Sequence, residues 1–483
     1  FASIVFTMVT NEPREEVYPM EWRRHEERPV PGTLEELRNE DFTNLATIEP
    51  VPPNGGYGWV CMMAVFLVNA HTWGVNASWA VIMAHYTAHP DLMKASRLEY
   101  ALIGGLSISQ ALMISPVVNK VREVVGPRVT LLIGSALIFV SLFASSFATQ
   151  IWQMFLSQAL CFGWGMGFVY LTATAMLPSW FSSRRSLAVG LATSGAGIGG
   201  LIYSIATNYL IQGLGLGWTY RVLACCALIA NVSASFMLKD FGARSHHPLR
   251  DDLRLKVSDF GRVEIFLIVI WGISTELGYI ILLYSLPSYA SSIGLTASQG
   301  SVANALLNLG LALGRPPVGY LSDVFGRITM AGAMTMLCSI FCFALWIPAH
   351  SYGPLLAFAL LSGMVCGVFW CTITPVLVEV VGLGRLPGAF GVICIAMVLP
   401  TTFAEPIAVR LVADHGTGFF LSAQIFAGCM FICGSVSLWF LRSWKISAIK
   451  AERSELAPEA AARPRKPLIP WLRAQFLFSI EHA

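Results

Sequence analysis

Four ionisable side chains stand inside long apolar stretches, where a charge at a bilayer centre costs about 2.5–3.5 kcal/mol on insertion scales. Arg315 lies in "NLGLALGRPPVGY", Glu276 in "WGISTELGY", Glu405 in "TTFAEPIAV" and His71 in "NAHTW". An arginine there is suited to holding a carboxylate, because its planar fork matches two oxygens and it stays charged. Its plainer reading is that it reaches back to water or pairs with Asp323. Glu276 and Glu405 are candidates for reversible protonation; Glu405 could equally cap a helix break at Pro406, and Glu276 could sit near the outer face. His71 titrates near neutral pH when unperturbed, but a hydrogen-bonded structural histidine is the simpler reading. Asn304 and Asn308 are four residues apart and Arg315 follows seven later, so on a helix the three make one polar stripe. Asn76, with Asn69 and Trp73, lies along the first apolar run. Tyr170, Tyr279, Tyr284 and Trp370 are candidate walls for an aromatic or larger solute, although each alone is explained by packing.

The elements that carry these residues are helices that cross a membrane. Of the 483 residues, 55% are hydrophobic and 12% charged; soluble domains carry about 25% charged residues. Mean hydropathy is +0.64. Apolar runs of spanning length fall near 57–83, 98–118, 129–148, 151–177, 186–211 and 219–238, and again near 264–290, 299–321, 328–348, 354–378, 388–412 and 418–441. The expected fold is therefore an all-α integral membrane protein of about twelve transmembrane helices in two six-helix halves. Its expected parts are a disordered tail (1–52), a first bundle (53–238), a charged central loop (239–263), a second bundle (264–441) and a tail (442–483). Alternate loops hold the basic residues, among them Lys120, Arg122, Arg128, Arg184, Arg185, Arg327 and Arg385. By the positive-inside rule this end, and both termini, are cytosolic. "FASIVFTMVT" lacks the basic start and cleavage site of a signal peptide.

Several chemistries are excluded or disfavoured. The 11 cysteines lie mostly singly in apolar runs, without zinc spacing, and read as small membrane hydrophobes. No metal or cofactor is expected, and neither nucleic acid nor an obligatory protein partner. There is no phosphate-loop motif for ATP. Gly195, Gly197 and Gly200 spell a dinucleotide-binding pattern, yet no strand precedes them and no acid follows at the required distance. Rows such as Gly190/Ser194, Gly195/Gly199 and Ala192/Ala196/Gly200 read instead as faces for close helix packing. His246 and His247 are adjacent, the wrong geometry for a metal site on one helical face. A membrane-embedded enzyme and a nutrient sensor without flux stay as remote alternatives.

The two halves repeat. "REVVGPR" and "GYLSDVFGR" place Glu123 opposite Asp323 and Gly126 opposite Gly326, each 200 positions apart, and Arg185 and Arg385 share that offset. An internal repeat of this kind marks secondary transporters, with the solute near the midplane between halves. Asp323, Gly326 and Arg327, with the weaker copy at Glu123 and Arg128 and the basic pair partners Arg185 and Arg385, form an expected latch that makes and breaks as the halves rock.

These motifs resemble the major facilitator superfamily, and within it the monocarboxylate porter (monocarboxylate transporter) family, with a fungal flavour. "PPNGGYGWV" (Pro52–Val60) is similar to that family's entry into the first span, with Asn54 where an acid is usual. "WFSSRRSLAVGLATSGAGIGG" (Trp180–Gly200) resembles its entry into the fifth. The resemblance covers about residues 52–445. It implies a secondary active transporter working by alternating access, proton-coupled by default, with Arg315 handling a carboxylate. Two family features depart: the acid one turn before that arginine falls on Leu311, and the first-span lysine falls on Asn76 or Ala77, so the usual proton relay does not carry over. The expected cargo is a small organic anion or metabolite; efflux of a secondary metabolite and uptake of a vitamin-like compound are the alternatives. The plasma membrane is the default location, with vacuolar or other internal membranes as alternatives.

Overall fold

The structure is a computed structural model that describes residues 52–89, 91–241, 262–411 and 420–456. The expected tail 1–52 beyond its last residue, most of the central loop and the chain past 456 lie outside the described residues. Among those described, every regular element is helical.

The first half is built from α1 (Gly58–Ala77), α2 (Trp79–Ala88), α3 (Arg97–Met113), α4 (Ser115–Val125), α5 (Pro127–Ser145), α6 (Ile151–Met154), α7 (Phe162–Met176), α8 (Arg185–Leu214) and α9 (Leu216–Met237). The second half has α10 (Val263–Ser292), α11 (Ala297–Phe325), α12 (Arg327–Phe341), α13 (Tyr352–Cys366), α14 (Val368–Val381), α15 (Leu386–Leu411) and α16 (Leu421–Leu456). Each predicted span has its helix or broken helix. Among the described residues, ten rods are long and apolar enough to cross a membrane, or eleven if the α3–α4 pair, bent by 44°, is one span. That bend sits beside Pro116, which has no N–H to continue the helical ladder. The twelfth rod is α11. It is 29 residues long, but Asn304, Asn308, Arg315, Pro316 and Pro317 lower its hydropathy, and this is the helix that carries the polar stripe. The last helix continues past 441 to Leu456.

The 200-residue repeat reappears as geometry. α3 and α11 open with the same capping box: Ser96 accepts from the Glu99 N–H and Thr296 from the Gln299 N–H, each 3.3 Å, which satisfies otherwise orphaned donors. α4, which continues α3 past the bend, and α11 each end on a glycine with positive φ, Gly126 at 81° and Gly326 at 94°, a conformation that a side chain disfavours.

α8 is wedged between α1 and α11 by two glycine faces. A Cβ on Gly195 would strike the Phe66 carbonyl of α1, and one on Gly199 the Ala70 carbonyl. On the other face, a Cβ on Gly197 would lie 2.7 Å from the Asn308 carbonyl of α11. The pattern Gly195-x-Gly197-x-x-Gly200 therefore sits inside a continuous helix, bringing backbones together, and no strand precedes it.

The halves meet along two related lines. In one, Gly190 packs on the Arg315 carbonyl and Gly319 on the Ser186 carbonyl. In the other, Ser115 Oγ donates to the Gly391 carbonyl (3.2 Å) and Asn119 Nδ2 to the Pro387 carbonyl (3.3 Å). Both lines run toward the end that bears Lys120, Arg122, Arg128 and Arg327, called here the basic end. An apolar cluster that includes Ile108, Leu112 and Tyr170 with Trp271, Phe369 and Ile393 also joins the halves.

Candidate functional site

Between the halves lies a narrow cavity lined by residues of both. α11 supplies Asn304, Asn308 and Arg315 from one face; α1 supplies Asn69, Trp73 and Asn76; α10 supplies Glu276, Tyr279 and Tyr284; Tyr170 and Trp370 come from α7 and α14. From Asn304 to Arg315 the helix rises about 16 Å at 1.5 Å per residue. The sequence stripe is thus one wall of a real cavity.

Three polar side chains lining the cavity each keep a buried atom without a partner. Arg315 is 5% exposed. Its Nη1 donates across the halves to the Thr193 carbonyl, and its Nε has no hydrogen-bond partner. It is not paired with Asp323. Gly367, at the break between α13 and α14, makes room for the guanidinium: a Cβ there would stand 2.9 Å from Nη2. Glu276 is 2% exposed, well inside the helix rather than near its outer end. Its Oε1 has no partner, and the carboxyl lies beside the Trp370 indole within electrostatic reach of Arg315. The third is Asn304, whose Oδ1 is also unpartnered. The remaining amides are engaged within the fold. Ser107 donates to Asn76 Oδ1 at 2.9 Å, Asn69 donates to the Val65 carbonyl at 2.8 Å, and Asn308 to the Asn304 carbonyl at 3.0 Å. An orphaned buried polar atom costs about 1–3 kcal/mol, and three of them lie around this one cavity.

The walls are aromatic. Trp73 of the first half meets Tyr170 edge-on, with centroids 5.3 Å apart, and Trp370 of the second half at 5.9 Å. A fixed cation, a carboxyl and flat apolar walls together suit an organic anion with an apolar body.

Other candidates lie elsewhere. His71 is half-buried, does not line the cavity, and shares a hydrogen bond with Tyr203 Oη of α8. Glu405 falls within α15, but its side chain is outside the described residues. At the basic end, Asp323 accepts from the Ser186 N–H (3.0 Å) and the Leu187 N–H (2.9 Å) at the start of α8. Arg327 lies 3.6 Å from Asp323 and donates to the Ser182 carbonyl at 3.1 Å. The second-half loop therefore bridges the halves. Arg185 instead holds its own loop, donating from Nε to the Pro178 (3.1 Å) and Phe181 (2.9 Å) carbonyls. Glu123 pairs with Lys120 at 3.4 Å on the same helix. Arg128 opens α5, and Arg385 ends the short turn before α15.

Sequence reasoning missed Thr193, which acts through its main-chain carbonyl and so leaves no side-chain signal. It also missed Glu379, whose carbonyl accepts from Lys445 Nζ at 2.8 Å. That contact too is made by a main-chain carbonyl and leaves no side-chain signal.

Comparison with known proteins agrees with this architecture. The family model for the Major Facilitator Superfamily matches residues 61–307 and 266–480. The chain is 31% identical to the Saccharomyces cerevisiae protein named "Probable transporter MCH2", over 92% of this chain and 93% of that one. It is 34% identical to "Uncharacterized transporter ESBP6" of the same organism, over 86% of this chain and 64% of that one. Among solved structures, a double-tryptophan mutant of XylE superposes with a TM-score of 0.66 at 13% identity, covering 80% of this chain and 96% of that one. With its repeated halves, its cavity between them and these relatives, the chain belongs to the Major Facilitator Superfamily and is a multi-pass secondary transporter.

Proposed function

We propose that the protein carries a small organic anion of the monocarboxylate-porter type across its membrane by alternating access, with protons as the coupling ion. The observation that carries this reading is Arg315: a buried guanidinium facing the cavity with Nε unpartnered. A carboxylate would accept from Nε and gain a charge-assisted hydrogen bond. Asn304 and Asn308 continue the binding wall, with Asn76, Tyr279 and Tyr170 around the guest. Glu276 takes the proton-coupling role, since its carboxyl shares the cavity with Arg315; Glu405 is the second candidate, and His71 the third. The basic end faces the cytosol on the positive-inside rule. Asp323, Gly326 and Arg327 then form the inner latch, with Glu123, Arg128, Arg185 and Arg385 as the looser counterpart set.

Export of a larger metabolite is the second reading. The aromatic walls and the span of about 16 Å between Asn304 and Arg315 favour it over a solute of two or three carbons.

The test is uptake into proteoliposomes of labelled monocarboxylates, dicarboxylates and neutral metabolites, with and without an inward proton gradient. Carboxylate uptake that the gradient stimulates several-fold is expected. Flux of neutral metabolites alone, or no dependence on the gradient, would overturn the coupled-anion reading and leave export as the function to pursue.

A further inference from the structure

The segment entering the first span reaches the latch. Asn54 is the one non-glycine residue with positive φ among the described residues, at 54°; asparagine tolerates this left-handed region better than most side chains. So placed, it grips the loop before α8. Its Oδ1 accepts from the N–H of Ser182 at 2.6 Å and of Ser183 at 3.0 Å. Its Nδ2 lies 2.8 Å from Ser182 Oγ, and its own N–H donates to the Trp180 carbonyl at 3.1 Å. Trp59 meets Phe181 edge-on with centroids 5.0 Å apart, so the same loop is also held by ring packing.

Ser182 is where the two halves take hold of one residue. Its N–H is fixed by Asn54 from the first half. Its carbonyl accepts from Arg327 Nη2 of the second half at 3.1 Å. Arg327 stands 3.6 Å from Asp323, and Asp323 accepts from Ser186 and Leu187, just past the same loop. The contacts form a ring that passes twice between the halves.

We propose that Asn54 is a positioning residue of this gate. By fixing the Ser182 and Ser183 peptides it presents the Ser182 carbonyl to Arg327, and so sets how firmly the basic end stays shut. Preorganising an acceptor removes the ordering cost from each closure. A carboxylate at position 54 accepts from the same donors, so the acid usual in the resembling family would do the same work. The proposal rests on alternating access, but not on which solute is carried.

The test measures distances in the full chain by pulsed electron paramagnetic resonance. Spin labels replace Val124 and Val324, which are 72% and 51% exposed at the basic end of opposite halves. Serine first replaces the exposed Cys225, Cys226, Cys429 and Cys433. Asn54→Gly removes the side chain and tolerates the positive φ. It should raise the ratio of long to short distances roughly tenfold, as loss of hydrogen bonding to a charged partner would. Arg327→Gln should do likewise, and the double variant should go no further than Arg327→Gln alone. Asn54→Asp should match the wild type. It reads the proposal by itself if the glycine variant does not fold. An unchanged distribution in Asn54→Gly, an additive double variant, or an opened Asn54→Asp would overturn the proposal. Absence of a long-distance population even in Arg327→Gln would overturn the rocking reading, and this proposal with it.

Discussion

At Arg315 a permanent cation is removed from water with one N–H bonded to the Thr193 carbonyl and Nε left over. Glu276 faces it across the same cavity, also with one atom unpartnered. If Glu276 carries the coupling proton, Glu276→Gln fixes a neutral side chain of nearly the same shape. Stimulation by an inward proton gradient should then disappear, while exchange of labelled for unlabelled solute stays within about threefold of wild type, since exchange needs no net proton movement. Loss of both activities together would place Glu276 in solute binding instead. The residue types at this site were legible in the sequence, because a charge inside an apolar run demands a reason. Their partners were not. Thr193 contributes a carbonyl that any residue type has, and Asn76 finds Ser107 across 31 positions. His71 and Glu276, both coupling candidates by residue type, part in the fold: one shares a bond with Tyr203 away from the cavity, the other lines it.

At the scale of elements, the helices, their caps and the repeat were visible because each is written locally. Thr296 and Gln299 repeat the job of Ser96 and Glu99, and Gly326 that of Gly126. The α3–α4 bend was not recognised, although Pro116 signalled it. α8 is the element on which the assembly turns, since its glycines admit α1 on one face and α11 on the other. Gly195→Ala would drive a methyl group into the Phe66 carbonyl, whereas a methyl at Gly213 meets nothing within 4 Å. Overpacking of this kind costs about 1–3 kcal/mol. Thermal unfolding of the purified protein should show a clearly lower midpoint for Gly195→Ala and one near wild type for Gly213→Ala. Equal midpoints would remove close packing as the reason for these glycines. Which glycine faces which neighbour was beyond the sequence, because it depends on the order in which rods pack and not on their spacing alone.

For the whole molecule, two related helix lines and a latch join the halves at the basic end, and the cavity lies between the same halves toward their other ends. A protein of this form moves its cargo by closing the cavity on one side before opening it on the other, and Arg315 stands where the α8–α11 line meets the cavity. We propose that this guanidinium holds the cargo's carboxylate. The measurement that tests it most directly is uptake of labelled carboxylates into proteoliposomes holding equal amounts of wild-type protein or Arg315→Gln. A charge-assisted hydrogen bond is worth about 1.5–3 kcal/mol, so the variant should transport carboxylates on the order of 10- to 100-fold more slowly at low solute concentration. Carboxylate uptake that is unchanged in Arg315→Gln would contradict the claim.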